Sequence, residues 1–336
     1  MKKILNISIL VLFISANSFG QTVNKNITEI IEKYANDTLL NGSIIVAQKN
    51  NIIYQGSFGY ANFETKSENT NTTLFPIASL TKQFTSSAIL ILQERGKLNI
   101  DDNISNYLKV PKSMQNVTIK NLMNHTSGIP DYWTNGIENN KDSIFKFHFK
   151  HDTLLFSSNT DHRYCNSGYF LLGQIIKNIS GKTYDDFLKE NIFDPIGMNN
   201  TFVYDRKEYK RAIGYDEKWN INDFLIKTGD GGIISTVDDL LLWDIALSEN
   251  KILSKKSMNS MIEPLKLENG KIINYGFGWD INANNKNIIS HTGWLASFGA
   301  YNQYDVENEY FFILLSNRIL PELMDLIIEV NKELYK

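Results

Sequence analysis

Residues 73–92 constrain the fold more than any other part of the chain. Their sequence is TLFPIASLTKQFTSSAILIL, and residues 84–92 carry no charge. Pro76 disfavours helix at the residue before it, so we predict a helix that begins near Ser79. Because a helix that is apolar on nearly all sides packs inside a domain, this helix is predicted to lie at the centre of the core.

Lys82 is the one charged residue of this segment, and it falls in the first helical turn. The helix dipole disfavours a cation there by about 0.3–1 kcal/mol. Ser79, three residues earlier, would share its face, which suits activation of a hydroxyl. Ser79 is also a good N-cap residue, and Ser-x-x-Lys recurs at Ser143 and Ser248. Taken alone, the pair favours the N-cap interpretation.

The N-terminus has the pattern of a secretory signal peptide. Lys2 and Lys3 precede an apolar run at 4–14 and a small, polar patch, SANSFG, that ends at Gly20. We predict that residues 1–20 are a signal peptide cleaved near Gly20, which implies a secreted or periplasmic protein. The apolar run is too short to cross a bilayer comfortably, so no stable membrane insertion is expected.

The composition is that of a globular protein without a polyanionic partner. Of 336 residues, 42% are hydrophobic and 21% charged, and the formal net charge is −3. We therefore expect no nucleic-acid partner. With the single cysteine Cys165, no internal disulfide can form.

Strand patterns occur at both ends of the chain and helix patterns in the middle. Residues 42–62 fit two strands, and IINYGFGWDI, NIISHTGW, SFGAYNQYD and EYFFILLSN fit four consecutive antiparallel strands towards the C-terminus. Helix patterns dominate residues 117–204, recur at 236–247 and follow Pro321. One sheet is predicted to combine both ends, with a functional site where it meets the helical block.

Two further stretches could assist a nucleophilic serine. In HRYCNSGYF, Tyr164 and Asn166 precede a predicted helix, and a nearby ammonium group would lower the pKa of the tyrosine. A buried aromatic residue near a helix start is the structural alternative.

The second stretch is IISHTGWLASFGAY, in which His291, Thr292 and Gly293 end a strand. Glycine there would permit close approach to the backbone. The N–H groups of Trp294 and Ser79 would then be available to an oxyanion. A plain strand end with a satisfied histidine is the alternative.

Other catalytic patterns find no support. No serine lies in a G-x-S-x-G setting, and no H-E-x-x-H occurs. His148 and His151 lack further ligands at a recognisable spacing, and we interpret them as part of a solvated face. Neither a metal nor a cofactor is expected.

Together these pieces resemble the serine β-lactamase and penicillin-binding superfamily, in its class C-like branch. Ser79-Leu80-Thr81-Lys82, Tyr164-Cys165-Asn166 and His291-Thr292-Gly293 are similar to the S-x-x-K, Y-x-N and K/H-T-G motifs and occur in the same order. The connecting stretches LMNHTSGIPDY, NSGYFLLGQII and GDGGIISTVDDLLLW are also similar. The resemblance extends from about residue 27 to the C-terminus. It demotes Ser143, Ser248 and the Lys227-Thr228-Gly229 triplet to chance matches, and we interpret His125 as structural.

The resemblance implies an α/β sandwich, an antiparallel sheet flanked by helices with an inserted all-helical subdomain. We expect one β-lactamase-related hydrolase domain over 21–336, with the sheet from about 40–75 and 250–336 and the helical part at about 97–235. The oligomeric state stays open.

The implied activity is hydrolysis of an ester or amide bond in a small molecule or peptide. Ser79 would form the acyl-enzyme, Lys82 and Tyr164 would handle its proton, and the remaining motif residues would position the substrate or the oxyanion, namely Asn166, His291, Thr292, Gly293 and Trp294. We favour an esterase or D-amino-acyl peptidase. His291 replaces the lysine usual in the third motif, which weakens a clamp for a substrate carboxylate. Cys165 is expected to face away from the site.

Two alternatives remain. One is a class C-like β-lactamase or D-alanyl-D-alanine carboxypeptidase. The other is a non-catalytic protein that binds peptidoglycan or acts as a sensor.

Overall fold

The computed structural model describes residues 25–336 except 38, 205–209 and 227. The predicted signal peptide, residues 1–20, lies outside these residues. No helix within the described part of the chain is both long and apolar enough to span a membrane.

The described residues form ten α-helices and thirteen strands. The helices are α1 (Lys25–Asn36), α2 (Thr81–Glu94), α3 (Ile119–Met123), α4 (Lys141–Lys150), α5 (Asn166–Ser180), α6 (Tyr184–Leu188), α7 (Asp194–Ile196), α8 (Val237–Ser248), α9 (Lys255–Met261) and α10 (Glu322–Leu334). Short 3₁₀ turns lie at Ala78–Leu80, Ile104–Asn106 and Lys112–Met114, and a π-helical turn lies at Lys189–Phe193. The strands are β1 (Gly42–Gln48), β2 (Asn51–Phe58), β3 (Tyr60–Asn62), β4 (Ser67–Glu68), β5 (Phe75–Pro76), β6 (Phe202–Val203), β7 (Ile233–Ser235), β8 (Leu265–Lys266), β9 (Ile272–Ile273), β10 (Asp280–Ile281), β11 (Ile288–Leu295), β12 (Phe298–Asp305) and β13 (Tyr310–Ser316).

Six strands form one antiparallel sheet in the order β10-β11-β12-β13-β1-β2. The first strand of the chain pairs with the last, with Gly42 opposite Ser316 and Gln48 opposite Tyr310. The prediction that the two ends of the chain share a sheet is therefore confirmed. Three small sheets accompany it, β3-β4, β5-β7-β6 and β8-β9.

Both faces of the sheet are apolar, because alternate residues of each strand point to opposite sides. On β1, Ile44 and Val46 pack with α1 and α10, whereas Ile45 and Ala47 belong to the larger core with the remaining helices. The sandwich with helices on both faces is thus confirmed. The sequence prediction omits α1, although Ile27, Ile31 and Tyr34 recur at helical spacing.

Helix α2 lies in the middle of the larger core, as predicted. All its residues from Thr81 to Leu92 are buried. Phe84 stacks on Trp243 of α8, with ring centroids 4.3 Å apart, and meets the edge of Phe193 at 5.8 Å. Aromatic packing of this kind holds the helix between the sheet and the helical block.

The stretch IINYGFGWDI, predicted as one strand, instead forms two short strands, β9 and β10. Gly278 between them has a φ of +80°, and a Cβ atom there would lie 2.7 Å from the Lys82 carbonyl oxygen. Glycine alone fits this conformation and this close approach. The segment therefore turns to pack against the backbone of α2.

Candidate active site

A cavity of about 380 Å³ opens where the sheet meets the helical block. Its walls come from the 3₁₀ turn at Ala78–Leu80, the start of α5, the loop before β7, and β10 and β11. Of the predicted site residues, six line the cavity, namely Ser79, Tyr164, Asn166, His291, Thr292 and Trp294. Lys82 lies beneath Ser79, and Gly293 lies behind the Ser79 turn. The three sequence motifs therefore meet at one site.

Ser79 does not cap the helix. Helix α2 begins at Thr81, its N-cap residue is Leu80, and no side chain caps it or the preceding 3₁₀ turn. Ala78 has a φ of +47°, a conformation that costs a non-glycine residue energy. The N-cap interpretation of Ser79 is thus wrong, and its hydroxyl instead contacts Lys82.

The Lys82 side chain is fully buried and reaches three oxygen acceptors. Its Nζ donates to Ser79 Oγ at 3.1 Å, to Asn166 Oδ1 at 2.9 Å and to the Asp230 carbonyl at 2.7 Å. Three acceptors satisfy all three hydrogens of an ammonium group. Burial lowers the pKa of Lys82 to about 8, although the Asp230 and Asp131 carboxylates act in the opposite direction.

Asp131 fixes the orientation of Asn166. Its Oδ1 accepts the backbone N–H groups of Asn166 at 2.7 Å and Ser167 at 3.0 Å, and its Oδ2 accepts Asn166 Nδ2 at 3.4 Å. The N-cap residue of α5, Cys165, supplies no side-chain cap, so Asp131 performs this role from a neighbouring loop. With its amide nitrogen on Asp131, Asn166 presents Oδ1 to Lys82.

Tyr164 covers Lys82, with Nζ 4.9 Å from the ring centroid. Its side chain is 39% exposed, and it lines the cavity beside Ser79. Removal of the hydroxyl from water raises the pKa of Tyr164 well above its ordinary value, and the nearby Ser79 side chain offsets this only in part. The expectation of a lowered pKa is wrong, and the phenol keeps its proton near neutral pH.

Gly293 lets β11 pass directly against the Ser79 turn. A Cβ atom there would lie 2.4 Å from the Ile77 carbonyl oxygen and 3.2 Å from Ser79 N. Strand β10 pairs only with Ile289 and Ser290, so it does not extend alongside the cavity end of β11. The predicted close approach to Gly293 is therefore confirmed, and the group that approaches it is the backbone of the Ser79 turn.

A directed hydrogen-bond chain runs behind the cavity through two histidines. The Cys165 N–H donates to His125 Nδ1 at 3.1 Å, which places the ring proton of neutral His125 on Nε2. His125 Nε2 then donates to the Tyr275 hydroxyl at 3.2 Å. That hydroxyl donates to His291 Nε2 at 3.1 Å, and His291 Nδ1 donates to the Thr292 carbonyl at 2.6 Å.

Both histidines of this chain are neutral. Burial, with Lys82 nearby, lowers the pKa of His291 to about 3 and that of His125 well below its usual range. The weaker clamp expected from a histidine in the third motif is in fact no cation at all, since His291 is uncharged near neutral pH. The chain instead joins the turn before α5 to β11, the two opposite walls of the cavity.

Sequence reasoning missed Asp131, Asp230 and Tyr275. The two aspartates lie in the stretches GIPDY and GDGG. Both stretches resemble the superfamily, but the resemblance did not assign a role to either aspartate. Tyr275 has no local signal, because its partners lie far away in the chain.

His148, His151 and Cys165 correct or complete the sequence analysis. His148 is buried, with both ring nitrogens unpartnered among the described residues, and burial lowers its pKa to about 4. The solvated face therefore includes His151 but not His148. The buried thiol of Cys165 contacts the Ile129 carbonyl at 3.5 Å and is not part of the cavity wall.

Comparisons with known proteins agree with this site and fold. The β-lactamase family model matches residues 26–328. Penicillin-binding protein 4* of Bacillus subtilis (strain 168) is 34% identical, over 89% of this chain and 72% of that protein. The chain therefore belongs to the β-lactamase family and is a serine hydrolase with penicillin-binding proteins among its relatives.

Two further proteins are similar. The crystal structure of a penicillin-binding protein from Bacillus halodurans superposes with a TM-score of 0.80 at 25% identity, covering 91% of this chain and 98% of that one. A teichoic acid D-alanine hydrolase from Staphylococcus aureus is 28% identical, over 69% of this chain and 60% of that protein.

Substitution of Tyr275 by Phe tests the histidine chain. It leaves His125 Nε2–H and His291 Nε2 buried without a partner, so we expect a loss of about 1–3 kcal/mol in the free energy of unfolding, measured by urea denaturation. Tyr304→Phe is the control, because Tyr304 is buried and its hydroxyl makes no hydrogen bond with the described residues. Equal stability of the two variants would contradict the role given to Tyr275.

Proposed function

We propose that this chain is an exported serine hydrolase that cleaves an ester or amide bond through an acyl-enzyme on Ser79. The observation that carries the proposal is the set of acceptors around Lys82 Nζ. Two of its three partners, Asn166 Oδ1 and the Asp230 carbonyl, can only accept hydrogen bonds. Ser79 Oγ can also donate.

Deprotonated Lys82 would be a base aimed at Ser79. A neutral amine has two hydrogens and one lone pair, and the two hydrogens are needed by Asn166 and Asp230. The lone pair then faces Ser79 Oγ, 3.1 Å away, which is hydrogen-bonding distance for proton transfer. A pKa of about 8 keeps roughly a tenth of Lys82 neutral at pH 7, against about 0.04% of an unperturbed lysine.

Tyr164 and two backbone N–H groups complete the proposed machinery. Because its phenol is protonated and lines the same cavity as Ser79, Tyr164 can donate a proton to the leaving group. Ser79 and Trp294 would supply the oxyanion donors, as β11 lies against the Ser79 turn at Gly293. Water would then release the acyl group by the reverse proton path.

An esterase or D-amino-acyl hydrolase is favoured over a β-lactamase or D-alanyl-D-alanine carboxypeptidase. The substrates of a β-lactamase and of a D-alanyl-D-alanine carboxypeptidase both carry a carboxylate. In this cavity, however, His291 is neutral, and no lysine or arginine is among the described residues that line it. The similarity to a teichoic acid D-alanine hydrolase points in the same direction. A non-catalytic binding protein would not need the complete Ser79, Lys82 and Tyr164 set.

Labelling with a fluorophosphonate tests the acyl-enzyme proposal. We expect the purified protein to react at Ser79, Ser79→Ala not to react, and Lys82→Ala to react at least about 100-fold more slowly, since it lacks the base. Ser248→Ala is the matched control from a chance Ser-x-x-Lys pair, because its hydroxyl only donates to the Ile245 carbonyl.

Labelling that survives Ser79→Ala would refute the assignment of the nucleophile. Failure of the native protein to label would favour the non-catalytic alternative. Turnover of a fluorescent penicillin in a parallel assay would favour the β-lactamase alternative.

The export proposal rests on the signal-peptide pattern of residues 1–20. Expressed with its full N-terminus in a bacterial host, the protein is expected outside the cytoplasm, with a mature chain that begins at Gln21 by intact-mass measurement. A cytoplasmic protein that keeps residues 1–20 would contradict export.

A further inference from the structure

The cavity contains one carboxylate that the proposed acyl transfer does not use. Asp280 lies at the start of β10, opposite Ser290 of β11, and its side chain lines the cavity together with Tyr164, Thr292 and Trp294. Strand β10 is only two residues long, so Asp280 lies at the end of the edge strand, next to the open cavity. This position is fixed by backbone pairing and by the close contact of Gly278 with α2.

The Asp280 carboxylate has no partner among the described residues. It makes no hydrogen bond and no ion pair, and the residue is exposed where it lines the cavity. The other acidic wall residue, Asp230, accepts a hydrogen bond from Tyr132 at 2.6 Å and lies next to Lys82. Asp280 is thus the acidic group in the described wall that remains available to a ligand.

The surroundings of Asp280 suit a cation rather than an anion. Lys82 is committed to Ser79, Asn166 and Asp230, and His291 is neutral because burial and the nearby Lys82 lower its pKa. Exposed aromatic faces of Tyr164, Trp133 and Trp294 line the same cavity. Aromatic faces and an unpaired carboxylate together form the usual environment of a bound ammonium group.

We propose that Asp280 is a specificity-determining residue that selects substrates carrying an ammonium group close to the scissile carbonyl, such as aminoacyl esters. The inference rests on the proposed function, since it concerns the same cavity and the same bond cleavage. A substrate ammonium group in the cavity would pair with the Asp280 carboxylate. The substrate class is then amine-bearing acyl esters or amides, in place of carboxylate-bearing β-lactams and peptide C-termini.

Partial desolvation of the carboxylate by the surrounding cavity wall raises the pKa of Asp280 to about 6. The carboxylate is therefore mainly ionised at pH 7.5, where the pairing can be tested. Its titratable neighbours, Tyr164, Tyr275 and Tyr301, are all protonated at that pH, because burial raises the pKa of each.

Matched substrates that differ in one charge test the proposal at pH 7.5. The first pair is D-alanine 4-nitrophenyl ester and 4-nitrophenyl propionate, which differ in an amine on the acyl side. The second pair is acetylthiocholine and S-(3,3-dimethylbutyl) thioacetate, which differ in a cation on the leaving-group side. Spontaneous hydrolysis is subtracted with Ser79→Ala.

In at least one pair, we expect Asp280→Asn to lower kcat/KM for the charged substrate by on the order of 10- to 100-fold, as for other hydrogen bonds or pairs to a charged group. The uncharged member should change little. Asp101→Asn is the control, because Asp101 is exposed, makes no side-chain ion pair in the described structure and does not line the cavity. Equal effects of Asp280→Asn on both members of both pairs would overturn the proposal.

A binding measurement separates this inference from the proposed function. Calorimetry on Ser79→Ala, which needs no turnover, compares D-alaninol with propane-1,2-diol, in which a hydroxyl replaces the amine. We expect tighter binding of D-alaninol, lost in the Ser79→Ala/Asp280→Asn double variant. If the double variant still prefers D-alaninol over propane-1,2-diol, the role of Asp280 is overturned. If the fluorophosphonate does not label Ser79 but the preference for D-alaninol depends on Asp280, only the proposed function is overturned.

Discussion

The structure of the site depends on the burial of one ammonium group. A charge on Lys82 inside the core is costly unless oxygen atoms surround it. Those oxygens come from three separate segments, namely the 3₁₀ turn with Ser79, the first residue of α5, and the loop with Asp230. Because each segment must reach Nζ at hydrogen-bonding distance, the requirement to satisfy one lysine brings the first two motifs and the Asp230 loop together.

A second hydrogen-bond network, which carries no charge, connects the walls of the cavity to each other. Tyr275 joins His125 to His291 and thereby links the turn before α5 to β11. In this arrangement His291 is a neutral hydrogen-bonding residue with its proton fixed on Nδ1. The replacement of a motif lysine by histidine therefore changes the electrostatics of the cavity, leaving the unpaired carboxylate of Asp280 as its available charge.

Much of the fold and of the site could be predicted from local patterns. The apolar run of α2, the alternating strands and the three short motifs are each contained within a few residues, so the sequence reveals them directly. The sharing of one sheet by the two ends of the chain also followed from their strand patterns, whereas the pairing of β1 with β13 did not. Features that depend on tertiary packing could not be predicted, because they arise from contacts between distant segments. They are the raised pKa of Tyr164, the burial of His148, the break between β9 and β10, and the hydrogen-bond chain through Tyr275.

The central claim is that Lys82, with its pKa lowered by burial, takes the proton of Ser79. The most direct test is the second-order rate constant for fluorophosphonate reaction at Ser79, measured across roughly pH 6 to 10. If neutral Lys82 is the base, the rate constant rises with pH, with a midpoint at about 8, and then levels off. A rate constant that is independent of pH, or one that rises only near the ordinary lysine pKa of about 10.4, would contradict the claim.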